Sequence, residues 1–458
     1  MKIIKYPNNE ILSNLGNPPI FDTNDYRFMK YCINVNVDEG ILIYNYLTRA
    51  LVLLTEEDIN NLGDIKKYDF MYKWYFLVSP DFDEQLIVDT LRERFRIPQD
   101  DLYLDHPTTF TILSTTKCNA RCFYCYENGF NNKRHMTLEV AEQVADYINR
   151  VAYNHINLAW FGGEPLFNMK VIDKITNKLH SYNREFTSSM TTNGYLFNKD
   201  IIIKAKNTWN LRTVQITIDG PEQIYNQVKN YIDNPKVSPY QKVLNNIATL
   251  LNIGIQVNIR LNIDLYNKDD LRILVEELCN RFGNHPNLVI YQFPIFDDSR
   301  TIDRTKEENI RLFKAIKEID DYLDSKGFFT GKVPNSIIPS SLCKADDGNS
   351  VLIGVDGKLG TCEHYIHSNF WGHISNPNKK DFKELGKWRE YNKLDICNTC
   401  PLYAECIKPT YCKEMGKCDK FTKERLINQH KKGIIHLYRP NNNNNILNYK
   451  RLNENIWT

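Results

Sequence analysis

The sequence has no run of the roughly twenty apolar residues that a membrane-spanning helix requires. Its first residues, MKIIKYPNNEILSNLG, reach asparagine before any apolar stretch of signal-peptide length. A membrane is therefore not an expected partner, and the chain is read as cytoplasmic. An excess of charge of one sign is also missing, since 58 Lys and Arg meet 56 Asp and Glu for a net +2. Without a basic footprint, nucleic acid is not an expected partner either. Cysteine is sparse, at 12 in 458 residues, which excludes a disulfide-stapled scaffold of this length. In a reducing compartment the grouping of those cysteines says more than their number.

What is present is ample core material. Hydrophobic residues make up 42% of the chain and aromatics 12%, enough to rule out wholesale disorder. At roughly 150 residues per domain the length implies about three domains. Residues 1–105 carry the strand-like runs CINVNV and ILIYNYL, a short helix LTEEDINNL with Thr55 as N-cap, then WYFLVSP and a helical DEQLIVDTLRERF. They read as a small separate α+β domain. Residues 106–330 alternate apolar strands with amphipathic helices, from TFTILS and TLEVAEQVADYINRVAYN to NLVIYQFPI and EENIRLFKAIKEIDDYL. Six β/α units imply an α/β fold with a parallel sheet, a barrel or partial barrel with its site at the strands' C-terminal ends, although periodicity fits an open doubly wound sheet equally. Residues 331–425 lose the long helices and gain cysteine, as in a small domain held by metal. Residues 426–458, with five consecutive asparagines at 441–445, read as a polar tail.

Directly after the first strand of the alternation, the segment CNARCFYC places Cys118, Cys122 and Cys125 within eight residues. Three thiolates can hold three irons of a four-iron cluster and leave the fourth open to a small molecule; buried cysteines or a zinc site are the alternatives. The CxxxCxxC pattern resembles the signature of the radical SAM superfamily, and the resemblance covers most of residues 108–330. It implies a partial (β/α)6 TIM barrel. It also implies that the open iron chelates S-adenosylmethionine, whose cleavage yields a 5'-deoxyadenosyl radical that abstracts hydrogen from carbon. Further segments fall where the family would have them. Gly162, Gly163 and Glu164 resemble the GGE motif that meets the methionine amino group, and Tyr124 matches an aromatic packed near the adenine. Asn193, in TNG, matches a motif near the nucleoside. Thr217, in TIDGP, takes the place of a hydroxyl residue that touches the cofactor. Where relatives carry an arginine clamp for the SAM carboxylate, this chain has Lys229, a point charge, and Arg260 on the next strand is the other candidate.

Seven more cysteines lie between 343 and 418: Cys343, Cys362, Cys397, Cys400, Cys406, Cys412 and Cys418. They resemble the SPASM domain, an iron–sulfur extension of radical SAM enzymes that modify peptides and proteins. The gap to Cys412 is longer than the usual spacing. The resemblance implies two auxiliary [4Fe-4S] clusters, three clusters in all, with Cys343, Cys362 and Cys412 on the first and Cys397, Cys400, Cys406 and Cys418 on the second. Three cysteines on the first leave an iron that a substrate thiolate could bind. Structural zinc is the alternative, because Cys397-x2-Cys400 is also a zinc-knuckle spacing. Glu363 stands where related side-chain-oxidising enzymes have an acidic base, or is a surface glutamate. Cys32 and Cys279 belong to no motif and are expected in the core.

About a hundred residues precede Cys118. They resemble the winged-helix-like recognition element of enzymes that act on ribosomally made peptides, which could bind a leader by strand addition; a barrel-capping extension is the plainer reading. The leading expectation is a peptide maturase that installs a cross-link in a leader-bearing precursor peptide. A thioether is favoured over a carbon–carbon bond. A reductase with flavodoxin or a ferredoxin would be the electron donor. Oxidation of a Cys or Ser to formylglycine, as in anaerobic sulfatase-maturing enzymes, is the alternative. A zinc-containing nucleic-acid-binding protein is the non-enzyme alternative.

Overall fold

A computed structural model describes residues 1–16, 25–95, 106–125, 127, 133–153, 155–233, 237–295, 304–339, 343–387, 393–406 and 418–439. The described residues form two compact units. The first takes those of Met1–Pro98, Thr330–Leu342 and Glu390–Asn442, the second those of Gln99–Phe329 and Cys343–Arg389.

The first unit begins with β1 (Lys2–Lys5), α1 (Asn9–Leu15), β2 (Arg27–Phe28), β3 (Cys32–Val37), β4 (Gly40–Asn45) and β5 (Leu51–Leu54). It continues with α2 (Glu56–Asn60), α3 (Ile65–Lys73), β6 (Leu77–Val78) and α4 (Glu84–Phe95). An antiparallel sheet in the order β1-β5-β4-β3 forms its centre. Thr55 caps α2 as the sequence predicts, in a reciprocal box with Asp58.

The second unit strings together β7 (Thr109–Thr115), α5 (Leu138–Val151), β8 (Ile156–Gly162), α6 (Met169–Ser181), β9 (Phe186–Thr192) and α7 (Lys199–Asn207). Next come β10 (Leu211–Ile218), α8 (Glu222–Lys229), α9 (Pro239–Asn252), β11 (Gln256–Ile263), α10 (Leu271–Phe282), β12 (Leu288–Pro294) and α11 (Lys306–Ser325). The helices are amphipathic, as in α5, where Ala141, Val144, Ala145 and Ile148 form one buried stripe. The six strands pair in parallel in strict sequence order, β12 to β7. A doubly wound sheet would reverse that order at a switch point, so the alternation resolves as the sheet of a partial barrel. In β9 the side chains alternate between a buried set, Phe186 to Thr192, and the half-buried Thr187, Ser189 and Thr191.

The stretch 331–425, a single domain on sequence, divides between the two units. Its β13 (Ser350–Ile353) adds in parallel to β7 and continues antiparallel to β14 (Lys358–Gly360) and β15 (Gly372–His373), followed by α12 (Phe382–Gly386). Residues 393–406 and α13 (Lys420–Tyr438) belong to the first unit instead. The helix α13 also corrects the expected tail from 426. It runs on to Tyr438 because His430, Gly433 and Ile434 give it a buried side. The asparagine run at 441–445 lies outside the described residues. No helix among the described residues is long and apolar enough to cross a membrane.

Candidate active site

The C-terminal ends of the parallel strands carry most of the residues singled out from sequence. After β7 the chain turns at Lys117 into the cysteine loop, and the end of β8 folds against it. Gly163 N donates to Thr115 O at 3.1 Å and Glu164 N to Lys117 O at 3.0 Å. Both glycines are required. A Cβ on Gly162 would fall 2.0 Å from Thr115 O, at a φ of +130°, and one on Gly163 would fall 2.5 Å from Lys117 O.

Glu164 is fully buried and ties three strand ends together. Its carboxylate accepts from Leu166 N (3.1 Å), Thr192 Oγ1 (2.7 Å) and Asn193 N (2.8 Å). Burial pushes the carboxyl up to about 6, against the downward pull of the Asn193, Thr192 and Leu166 donors. Asn193 in turn donates from Nδ2 to Asn119 Oδ1 at 2.8 Å, beside Cys118. Asn119 is itself fully buried, and its Nδ2 has no partner among the described residues.

A second network passes beneath Cys122. The Lys229 ammonium, 4% exposed, pairs with the fully buried Asp219 at 2.9 Å and donates to Tyr124 Oη at 3.0 Å. Burial opposes that charge, but Asp219 first, then Tyr124 and Cys122, hold the ammonium well above its ordinary range. Asp219 Oδ1 accepts from Asn262 Nδ2 (3.1 Å), and Asn262 Oδ1 accepts from Arg260 Nε (2.9 Å). The Arg260 guanidinium lies over the Phe293 ring at 4.1 Å, and Thr217 is its register neighbour on β10. Lys229 and Arg260, alternatives on sequence, therefore sit in one continuous network. The sequence reading missed Asp219 and Asn262, which carry it. Asp219 lies inside the quoted TIDGP segment, whereas Asn262 had no local signal.

The cysteines fall into three groups. Cys118, Cys122 and Cys125 are half-buried and close enough to interact: burial raises Cys118 to about 12 and Cys125 to about 11, and neighbouring thiols add to each. In the same unit, Cys362 is raised well above its ordinary range by burial and Glu363, with Cys343 adding. Between these two cysteines Lys344 pairs with Glu363, whose carboxylate is held below its usual range by that ammonium despite burial. In the first unit, burial raises Cys400 to about 11, with Cys406 and Cys397 adding. Cys418 stands just before α13 and its N-cap Asp419. Cys412 lies outside the described residues. All eleven described cysteines are free thiols. Among the described residues no group of three or more His, Cys, Asp or Glu could hold a metal ion. The three clustered, desolvated thiols at 118, 122 and 125 and the orphaned Asn119 amide are chemically suited to a larger iron–sulfur group, whose thiolates stand further apart than those around one ion.

The cysteine loop of the first unit is fastened to the N-terminal elements. Arg49, 0% exposed, pairs with Glu405 at 2.6 Å. From α4, Arg92 donates to Tyr403 O and, at 3.0 Å, to Cys406 O. Asp89 accepts from Tyr403 Oη at 2.6 Å. None of these pairs is visible in local sequence pattern.

Residues 112–278 match the family described as the Radical SAM superfamily. A GTP 3',8-cyclase of Clostridium perfringens is 26% identical over 272 residues, 56% of this chain and 80% of that protein. Among solved structures, anSMEcpe with bound AdoMet superposes with a TM-score of 0.53 at 17% identity, covering 73% of this chain and 97% of that one. Streptococcus suis SuiB bound to its precursor peptide SuiA gives 0.51 at 13% identity, covering 87% and 99%.

Proposed function

The chain is a radical SAM enzyme, and from that premise we propose that it matures a ribosomally made precursor peptide by installing a cross-link, with a thioether favoured. One observation carries this reading. The cysteines that would hold a second auxiliary cluster are fastened by Arg49, Arg92 and Asp89 to the N-terminal elements that would recognise a leader. That arrangement suits an enzyme in which peptide recognition and auxiliary iron–sulfur centres belong together. The precursor peptide bound to SuiB supports the same substrate class.

Cys118, Cys122 and Cys125 would hold the SAM-binding cluster, and Gly162, Gly163 and Glu164 would meet the methionine end of the cofactor. When bound, the cluster and S-adenosylmethionine supply a carbon radical able to take hydrogen from the substrate. The glycines let the backbone approach closely, and Glu164 offers a carboxylate to an ammonium. Asn193, Thr217 and Arg260 line the same strand ends and would orient the nucleoside and carboxylate. Cys343, Cys362 and Cys412 would hold the first auxiliary cluster, and Cys397, Cys400, Cys406 and Cys418 the second. Lys344 keeps Glu363 ionised, the state from which a base accepts a proton, at some loss of basicity.

The test is the mass of a short peptide encoded beside this gene, after anaerobic co-expression with the enzyme or with a variant lacking Cys118, Cys122 and Cys125. Enzyme-dependent loss of two hydrogens with the cysteine no longer alkylatable is expected. The same loss with a free thiol would indicate a carbon–carbon bond, and formylglycine in a sulfatase-type target would indicate the oxidising alternative. The GTP 3',8-cyclase relatives favour a second reading, a nucleotide substrate. The Clostridium perfringens match spans 56% of this chain. Turnover of GTP in place of peptide would establish that reading.

A further inference from the structure

By the family resemblance Lys229 stands where relatives carry a charged clamp for the cofactor carboxylate, yet its ammonium is already engaged. It ends α8, and the next residue, Asn230, is left-handed at φ 43°. That turn lays residues 229–232 along the cysteine loop: Arg121 N donates to Lys229 O at 2.8 Å, and Ile232 N donates to Asn119 O at 3.0 Å. The side chain then follows the backbone inward. It is 4% exposed, with Asp219 at 2.9 Å on one side and Tyr124 Oη at 3.0 Å on another, and it stands 5.6 Å from the centre of the Tyr225 ring. Asp219 cannot follow a displaced ammonium, because its carboxylate accepts from Asn262 and its carbonyl accepts from Asn267. By donating to Tyr124 Oη, Lys229 leaves the phenol proton free to point elsewhere, and Tyr124 stands in the cysteine loop two residues after Cys122.

We propose that Lys229 is a positioning residue for the cluster loop rather than a ligand of the SAM carboxylate. It orients the Tyr124 hydroxyl onto the Cys122 sulfur and places one positive charge, backed by Asp219, behind the iron that Cys122 would bind. Hydrogen bonds to ligating sulfur and nearby positive charge both favour the reduced cluster and so raise its reduction potential. The carboxylate of the cofactor is then left to Arg260, which reaches the same network through Asn262.

The experiment uses the full-length chain, reconstituted anaerobically with iron and sulfide, as wild type and as K229M, K229R, Y124F and the charge-neutral pair D219N/K229M. The SAM-cluster midpoint potential is read by redox titration followed by electron paramagnetic resonance, and SAM affinity by equilibrium binding. The expected result is a more negative potential in K229M and in Y124F, a near wild-type potential in K229R, and SAM affinity within about threefold of wild type throughout. A tenfold or greater loss of SAM affinity in K229M that Y124F does not share would make Lys229 a cofactor ligand and overturn the proposal. Unchanged potentials in both variants would overturn it equally. If K229M does not fold with Asp219 left unpaired, Y124F and D219N/K229M decide by the same two readouts.

Discussion

At the scale of single residues the chemistry is set by how much water is removed from groups that would otherwise be charged. Glu164 shows the effect with a definite sign. Its carboxyl rises from about 4.3 in an unfolded chain to about 6 in the fold, because burial outweighs three hydrogen-bond donors. A group whose affinity for a proton increases on folding contributes stability that is fully present below its unfolded value and is lost as pH rises through the folded value. The ligand-free protein should therefore lose roughly 2 kcal/mol between pH 4 and pH 7 through this one residue. Glu164→Gln removes the titration, so the difference in stability between variant and wild type should shift in the variant's favour from pH 5 to pH 8. Parallel thermal melts at the two pH values measure it, and a difference that stays flat with pH would assign the slope to other groups.

Elements are held by pairs whose partners lie far apart in the chain. Arg49 has a positive φ of 68° in the turn between β4 and β5, and its guanidinium meets Glu405, 356 residues later, with neither side chain more than 1% exposed. Removing one member leaves a buried charge without its counterion, which costs about 3–5 kcal/mol. Glu405→Ala should accordingly open the β4–β5 hairpin, read as faster amide exchange in residues 40–54, while Arg49→Met combined with Glu405→Leu should recover most of the loss. The contrast explains what could be read from the sequence. The six parallel strands, their helices and the Thr55 cap follow from periodicities and caps confined to a dozen neighbouring residues. The grouping of Cys118, Cys122 and Cys125 follows from their spacing, and the division of the later cysteines is what the family resemblance implies. Arg49 with Glu405, Arg92 with Cys406, and Lys229 with Asp219 and Tyr124 depend on how distant segments meet, and no local pattern encodes that. The extension of α13 past residue 426 escaped for the same reason, since its polar sequence is made helical by a narrow buried side.

At the scale of the whole molecule the unexpected feature is that compact units do not follow chain order. Residues 343–387 extend the barrel sheet through β13, whereas residues 393–406 and α13 join the N-terminal sheet. One core cluster of the first unit mixes Tyr44, Leu51 and Leu91 from the N-terminal elements with Cys397, Leu402 and Tyr403 from the cysteine loop. A loop of this kind has little core of its own, so iron bound at Cys397, Cys400, Cys406 and Cys418 would contribute folding free energy to everything packed on it. The N-terminal elements would then depend on that cluster although they would supply none of its ligands. Cys397→Ser with Cys400→Ser, in protein reconstituted anaerobically, should raise amide exchange in α4 and in β3 to β5 as well as in residues 393–406. Exchange in β7 to β12 should stay at the wild-type rate, because those strands have their own core and their own cysteine loop. Protection unchanged in β3 to β5 would mean that the N-terminal sheet stands without the cluster, and the coupling between recognition and iron would then have to come from the bound peptide itself.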